Sequence, residues 1–377
     1  MAAANTILNA YAPHLLDTLG QVAGANNPEF KISPVGFLKA LLENNPKLKV
    51  IEQFSTHNKK GHQKRIFIKY QPRYTEDYVG TEDNCDIDLV PNWSIQELTN
   101  ERFVKIGIHI ADEEISKMAD EQSNKSSAGT PPSDLMQEHI DVVLRVANGL
   151  LRKIDRQLLT DNVWGTNVVT GNNNAQTVNF NKDATKNDLL TGFNKLLYDA
   201  SENEFMGNLI VVGSGLINAY EIQKMAAVAA LNGVDVTKFT GYSFYNDTLA
   251  KTIWGTNQVG VFEKGAIGFV DVNKYVGFRA GARPNSYFFT LPLPMQVGNK
   301  IVPVTFDAQL KYIDCPTTLL DHYGEEQEFD RGWALFLSKR YGLWQHPSGV
   351  YQAGDPLAGV IGSLRYTITN ECVTCEE

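Results

Sequence analysis

The sequence predicts an α+β fold in which a long helix and mixed segments precede a strand-rich last third. Apolar residues recur in steps of three and four over residues 134–160, the period of an amphipathic helix. A strand, a glycine turn and a helix follow one another at 207–222. From residue 255 onward strands follow with few helices between them, which argues against an alternating βαβ sheet.

Composition narrows the function classes. The 377 residues are 43% hydrophobic, enough to bury more than one packed unit. The chain has 34 basic and 43 acidic residues, and its formal charge is -9. This charge argues against a protein whose whole surface binds nucleic acid, but it is compatible with a local basic patch. No basic stretch precedes an apolar core at the N-terminus, and no run of about 18 apolar residues occurs, so we expect neither a signal peptide nor a membrane span.

The first hundred residues predict an arm and a hairpin. Residues 1–45 contain two helical pieces, the second with Ser33 as N-cap and Pro34 in its first turn. Two β-prone runs around a polar tip then predict a long hairpin at 47–70. Its cations include Lys59, Lys60, Lys64 and Arg65, and the acidic stretch that follows includes Asp83, Asp86 and Asp88. Such charge runs are usually two solvated surfaces; the alternative is that the hairpin meets the acidic surface of another copy.

The long helix is the strongest single element. A strand at 103–110 and a polar loop at 121–132 precede it. Its apolar stripe comprises Met136, Ile140, Val143, Leu144, Ala147, Leu151, Ile154 and Leu158. We expect this face to pack on the closing strands, with small residues, Ala147 and Gly149, where a strand approaches closely. Four cations lie outside the stripe, namely Arg145, Arg152, Lys153 and Arg156.

The remaining elements are shorter. Helices are expected at 186–200 and 216–231. Residues 302–312 alternate, with apolar side chains at the even positions, which predicts a strand buried on one face. Further strands are expected in SYFFTLPL, WALFLSKRYGLW and GVIGSLRYTITN.

The stretch GNLIVVGSGLINAYEI at 207–222 resembles a dinucleotide-binding corner. The fingerprint needs a third small residue, but Asn218 stands there, and the acidic residue that should hold a ribose, Asp235, lies among turn signals. We therefore favour a structural role, in which Gly213 and Gly215 supply unusual backbone angles where a strand turns into a helix. The alternative is an oxidoreductase that binds a dinucleotide at this corner.

Signals for catalysis and metal binding are weak. The chain has no GxxxxGK[ST] loop, no HExxH and no GxSxG. Cys372 and Cys375 have metal-ligand spacing but no second such pair accompanies them. His322 lies beside Asp321 without a nucleophile partner. We expect no enzymatic activity, no cofactor and no metal.

The order of these elements resembles a major capsid protein of the Hong Kong 97 fold, the shell-forming family of tailed bacteriophages. The resemblance covers about residues 30–370, and its phrases are RQLLTDNVWGTN, QVGVFEKGAIGFVDV and NLIVVGSGLINAYEIQKM. It implies five segments: an N-terminal arm (1–45), an extended hairpin loop with its acidic connection (46–102), a peripheral domain with spine helix 134–160 (103–206), an axial domain (207–300) and closing strands shared by the two domains (301–377).

The resemblance implies a structural protein that self-assembles into an icosahedral virion shell around phage double-stranded DNA. The implied partners are further copies in hexamers and pentamers, with portal, scaffold and decoration proteins as additional ones, non-specifically held DNA, and no membrane. Synthesis would take place in the host cytoplasm. Encapsulin shells share the fold, so a shell around protein cargo is the alternative. The candidate contact residues between subunits are Lys59, Lys60, Lys64, Arg65, Asp83, Asp86 and Asp88.

Overall fold

The computed structural model divides the chain into two compact units. Unit 1 comprises Met1–Pro34, Arg102–Lys153 and Asp271–Tyr341, and unit 2 comprises Val35–Glu101, Ile154–Val270 and Gly342–Glu377. The structure describes residues 10–20, 31–46, 48–54, 64–70, 93–99, 101–124, 134–161, 163–171, 176–179, 193–205, 208–217, 242–273, 281–283, 286–297, 300–313, 317–320, 326–329, 332–347 and 360–369.

Helices and strands together confirm the predicted α+β class. The helices are α1 (10–20), α2 (Gly36–Glu43), α3 (Asp112–Asn124), α4 (Asp134–Leu158), α5 (Phe193–Glu202) and α6 (Thr248–Ile253). The strands are β1 (Lys49–Phe54), β2 (Lys64–Tyr70), β3 (Ser94–Glu97), β4 (Arg102–Ile110), β5 (Gln176–Asn179), β6 (Leu209–Gly213), β7 (Tyr242–Asn246), β8 (Gln258–Glu263), β9 (Ile267–Val272), β10 (Gly281–Arg283), β11 (Ser286–Val297), β12 (Lys300–Ile313), β13 (Thr317–Leu320), β14 (Glu326–Phe329), β15 (Gly332–Gln345) and β16 (Ser363–Thr369).

Unit 1 is built on an antiparallel sheet in the order β10-β11-β12-β15-β4. The predicted alternation in β12 is confirmed for Val304, Phe306, Ala308 and Leu310, all of which are buried. Val302 is exposed instead. Asp307 is buried although its alternate position predicts exposure, and it pairs with the buried Ser338 of β15.

Unit 2 holds two sheets. β1, β2 and β3 form an antiparallel sheet in that order. The second sheet has the order β5-β16-β8-β6-β7 and is mixed: β6 and β7 are parallel, as are β5 and β16, whereas β8 runs antiparallel to both of its neighbours. Its apolar core comprises Val178, Leu196, Ala200, Leu209, Val211, Ile217, Val259, Val261, Leu364, Tyr366 and Ile368.

The long helix α4 confirms the predicted stripe. All eight apolar residues named from the sequence are buried. Gly149 corrects one detail, because it is exposed and a Cβ added there would have no atom within 4 Å. No strand therefore approaches at Gly149, and its place on the solvent side of the helix explains why. The packing of the stripe on the closing strands remains a prediction.

The described parts of the predicted arm are packed rather than extended. Tyr11 and Leu15 of α1 and Phe37 and Leu41 of α2 are fully buried. In α1, the Tyr11 hydroxyl forms a hydrogen bond with Nε2 of His139 on α4. These helices are therefore integral to the units.

The start of α2 corrects the prediction of Ser33 as its N-cap. The helix begins at Gly36, and its N-cap residue, Val35, has no side chain that can accept a hydrogen bond. Two distant carboxylates do so instead: Phe37 N–H donates to Asp247 Oδ2 (2.9 Å) and Leu38 N–H donates to Asp155 Oδ1 (2.7 Å). Gly36, with φ +63°, is required, because a Cβ there would lie 2.2 Å from the Asp247 carboxylate.

The two shorter helices are found in part. The helix expected at 186–200 is α5, shifted to 193–202, and residues 186–192 lie outside the described residues. Of the helix expected at 216–231, helical turns are described only at 215–217.

Candidate subunit interface

The base of the predicted hairpin is anchored in unit 2. β1 and β2 pair antiparallel from Lys49↔Lys69 to Phe54↔Lys64, which confirms the hairpin strands. Ile66 and Ile68 of β2 are fully buried. The Tyr70 ring lies 5.5 Å from the rings of Trp344 and His346, measured between centroids. Apolar burial and ring contacts thus hold the base while the strands lead away from it.

β3 adds an outer strand to this sheet and presents apolar side chains to solvent. It pairs with β2 through Ile68↔Gln96 and Lys69↔Ile95. Trp93 is 48% exposed and Ile95 61%. The Lys69 ammonium lies 5.0 Å from the centroid of the Trp93 ring. We call Trp93 and Ile95 the β3 surface.

The end of β3 is fixed tightly, so the β3 surface has a defined position within unit 2. Leu98 N–H donates to Ile66 O at 2.8 Å, and the Leu98 side chain is buried. It occupies the space left by Gly342, where a Cβ would lie 2.5 Å from Leu98 Cδ2. Exposure at Trp93 and Ile95 is therefore a property of a well-anchored strand.

Unit 1 has a comparable strand, β4. It ends the sheet, and among the described strands none pairs with its outer edge. Phe103 is 53% exposed and Ile106 is also exposed, while Val104 and Ile108 are buried. Phe103 and Ile106 are three positions apart and therefore lie on opposite faces of β4. We call these two exposed side chains together the β4 surface. A long edge strand with exposed apolar side chains is a template for pairing with another chain.

The charged contact residues predicted from the sequence lie largely outside the described residues. Lys59 and Lys60 fall in the undescribed tip, and Asp83, Asp86 and Asp88 fall in the undescribed stretch between β2 and β3. Lys64 and Arg65 have a described backbone at the start of β2, opposite Phe54 and Gln53, but their side chains are not described. The charge pairing between copies stays a prediction.

The sequence prediction missed the β3 and β4 surfaces. In PNWSIQEL, apolar residues alternate at 93 and 95, a pattern that predicts an inward face. Alternation shows that two side chains share a face but not which face another element covers. The available signal was the large aromatic Trp93 directly before a strand of four residues, too short to bury it alone.

The glycine corner at 207–222 is structural, but not for the predicted reason. Neither Gly213 nor Gly215 has a positive φ. Gly213 is required because a Cβ there would lie 2.7 Å from Val259 Cγ1 on the adjacent β8. The Gly215 N–H, which a pyrophosphate would need, donates to Asn246 Oδ1 at 2.8 Å. Together with the mixed sheet around β6, this occupied donor disfavours the dinucleotide-binding alternative. Asn218 and Asp235 lie outside the described residues.

The buried carboxylate of Asp199 in unit 2 makes structural contacts. Asp199 accepts from Lys195 Nζ at 2.6 Å, from Asn167 Nδ2 at 3.1 Å and from the Tyr366 hydroxyl at 3.1 Å. Burial and the nearby Asp199 raise the pKa of Tyr366, which keeps its hydroxyl a donor. Both carboxylate oxygens thus accept from donors, and the side chain links α5, the turn at 167 and β16.

The described part of the chain contains no group of three or more His, Cys, Asp or Glu residues placed to hold a metal ion. Among its helices, none combines the length and apolarity needed to cross a bilayer. Cys372, Cys375 and His322 lie outside the described residues.

Comparison with known proteins relates the chain to phage structures. No family model and no curated protein matches it. A solved structure from Mycobacterium phage Cain is 14% identical, with TM-score 0.40, over 91% of this chain and 92% of that chain. The capsid structure of cyanophage P-SCSP1u is 10% identical, with TM-score 0.35, over 91% and 87%. The head structure of Helicobacter pylori bacteriophage KHP40 is 9% identical, with TM-score 0.35, over 92% and 92%.

Proposed function

We propose that the chain is a structural major capsid protein that self-assembles into an icosahedral shell around phage double-stranded DNA. The observation that carries the proposal is the β3 surface. Trp93 and Ile95 are exposed on the outer strand of a sheet whose base is firmly buried. Covering them is worth about 1–2 kcal/mol for each side chain, and tryptophan is among the residues that dominate interfaces.

The β4 surface supports the same role. Phe103 and Ile106 lie on the end strand of a different sheet, in the other unit. A subunit that exposes apolar side chains on two different strands can join its neighbours by heterologous contacts, which close into rings or continue into larger surfaces. A shell requires such contacts, because one subunit cannot enclose a volume.

The finer assignments follow from the family resemblance. We assign residues 1–45 to the arm, 46–102 to the extended hairpin loop, 103–206 to the peripheral domain, 207–300 to the axial domain and 301–377 to the closing strands. The cationic hairpin would contact the acidic stretch of a neighbouring copy within hexamers and pentamers. The capsid and head roles of the matched phage structures come to this chain as part of the same proposal, as do its location in the virion and its synthesis in the host cytoplasm.

Electron microscopy and analytical ultracentrifugation of the purified protein test the proposal. We expect closed shells from the unaltered chain and only small oligomers from the double variant Trp93→Ser, Ile95→Ser. The matched control is Val169→Ser, Leu216→Ser, which removes two other exposed apolar side chains of unit 2. The control should assemble normally. An unaltered chain that stays monomeric, or a β3-surface variant that forms normal shells, would contradict the proposal.

A further inference from the structure

The solvent side of α4 carries a cluster of basic side chains within unit 1. Arg145, Arg152 and Lys153 are exposed, on the side of the helix opposite the buried stripe. Within the part of the chain that the structure describes, none of the three forms an ion pair or a hydrogen bond. We call these three residues the basic face. The chain as a whole has a formal charge of -9, so the charge of this cluster is opposite in sign to the net charge of the protein.

The basic face is open as well as charged. Gly149 lies on the same side between Arg145 and Arg152, and a Cβ added there would have no atom within 4 Å. Arg145 and Lys153 are eight positions apart, which is about 12 Å along a helix. A glycine in the middle of an exposed helix is unfavourable by about 1 kcal/mol relative to alanine. Here it leaves room for a polymer to come close to the helix backbone between the cations.

The chemistry of this surface favours phosphate over protein. Between residues 145 and 153 no large apolar side chain is exposed among the described residues, whereas stable protein interfaces have an apolar core. Guanidinium groups match phosphate oxygens with paired hydrogen bonds. Duplex DNA carries about one negative charge per 1.7 Å of its axis, so 12 Å of helix faces several phosphates at once.

We infer that the basic face is the site where the subunit contacts the phosphate backbone of duplex DNA, without reading its sequence. The inference rests on the proposed function, because the packaged genome supplies the ligand. It also assigns a direction: the exposed side of α4 between Arg145 and Lys153 faces the interior of the shell. Three phosphate contacts in each subunit are weak alone and become substantial when many copies line one wall.

The experiment measures binding of a labelled 20-base-pair duplex to unassembled subunits by fluorescence anisotropy, at 50 to 200 mM NaCl. Three released counterions predict a slope of about -2.7 in log K against log salt, equivalent to about a 40-fold loss over this range. The triple variant Arg145→Gln, Arg152→Gln, Lys153→Gln should lose this dependence. Each single substitution should reduce the slope by about 0.9. The single variants keep the test valid if the triple variant unfolds.

The matched control changes the net charge equally at other sites. Lys251→Gln, Lys264→Gln, Lys311→Gln removes three exposed lysines outside α4 and should keep the unaltered slope. Equal loss in this control would mean that net charge rather than the basic face binds DNA, and would overturn the inference. An unchanged slope in the triple variant would overturn it as well.

Shell formation, followed in parallel by electron microscopy, separates this inference from the proposed function. The triple variant should still form shells, since its substitutions lie outside the β3 and β4 surfaces. A triple variant that keeps DNA binding but fails to assemble would show that the basic face holds a neighbouring subunit, which overturns the inference alone. The unaltered chain could also bind DNA in a salt-dependent way, and the triple variant could lose this binding, while the unaltered chain never assembles. That result would support the DNA site and contradict the proposed shell function.

Discussion

The burial of His139 on α4, whose ring forms a hydrogen bond with Tyr11 on α1, makes the stability of the subunit depend on pH. Burial lowers the pKa of His139 from 6.5 to about 4. The unfolded chain therefore binds more protons than the folded chain between pH 6.5 and 4, and stability is lost as the pH falls through this window. A shift of 2.5 units at about 1.36 kcal/mol per unit corresponds to about 3 kcal/mol in total, of which about 2 kcal/mol is lost between pH 7.5 and 5.

The variant His139→Gln isolates this contribution. Glutamine can still form a hydrogen bond with Tyr11 but does not titrate. Urea unfolding of unassembled subunits at several pH values from 7.5 to 5 would give the free energy of unfolding for both proteins. Other titrating groups contribute to both curves and cancel in the difference. We expect the difference to change by about 2 kcal/mol across this range. Parallel curves would show that His139 titrates normally in the folded chain and would refute the reasoning.

Three further perturbations follow from α4, α2 and the hairpin. Leu151→Asp places an unpaired charge in the buried stripe and should lower the free energy of unfolding by several kcal/mol. Arg152→Glu on the exposed side should change it by well under 1 kcal/mol. Similar thermal unfolding of the two variants would mean that the buried face of the helix is assigned wrongly. Asp247→Ala removes an acceptor for three backbone N–H groups and should cost about 2–4 kcal/mol, with Asp247→Asn between it and the unaltered chain in urea unfolding. Charge reversal replaces four hairpin cations by Glu, namely Lys59, Lys60, Lys64 and Arg65. The variant should remain folded by circular dichroism but form no particles in electron microscopy. Normal particles would contradict the proposed charge pairing between copies.

The sequence predicted best where a local period alone determines the outcome. All eight stripe residues of α4 are buried, because an amphipathic helix must place its apolar side against something whatever that partner is. The strand β12 was predicted from its alternation for the same reason. Its exceptions are the exposed Val302 and the buried Asp307. Alternation shows which side chains share a face, but not which positions along that face are covered by other elements.

Other features depended on distant residues and escaped prediction. The N-terminus of α2 is capped by Asp155 and Asp247, which lie 117 and 210 positions away from their partners. Gly213 is required by the proximity of Val259 on another strand rather than by its own φ. The sequence also did not predict the candidate interface, because the pattern around Trp93 and Ile95 is typical of a buried face. Their exposure becomes visible only when the rest of unit 2 is in place.

The capping of α2 by Asp247 has a consequence for the order of events during synthesis. The acceptor lies 210 positions after Phe37, so at about 5–20 residues per second it leaves the ribosome about 10–40 s later. An isolated helix of eight residues is marginal in water, and its apolar residues have no partner during this interval. The segment that contains α2 therefore docks late, as a non-local and slow contact, after most of unit 2 has been translated. A nascent chain arrested before Asp247 would expose Phe37, Leu38 and Leu41 as a site for chaperone binding.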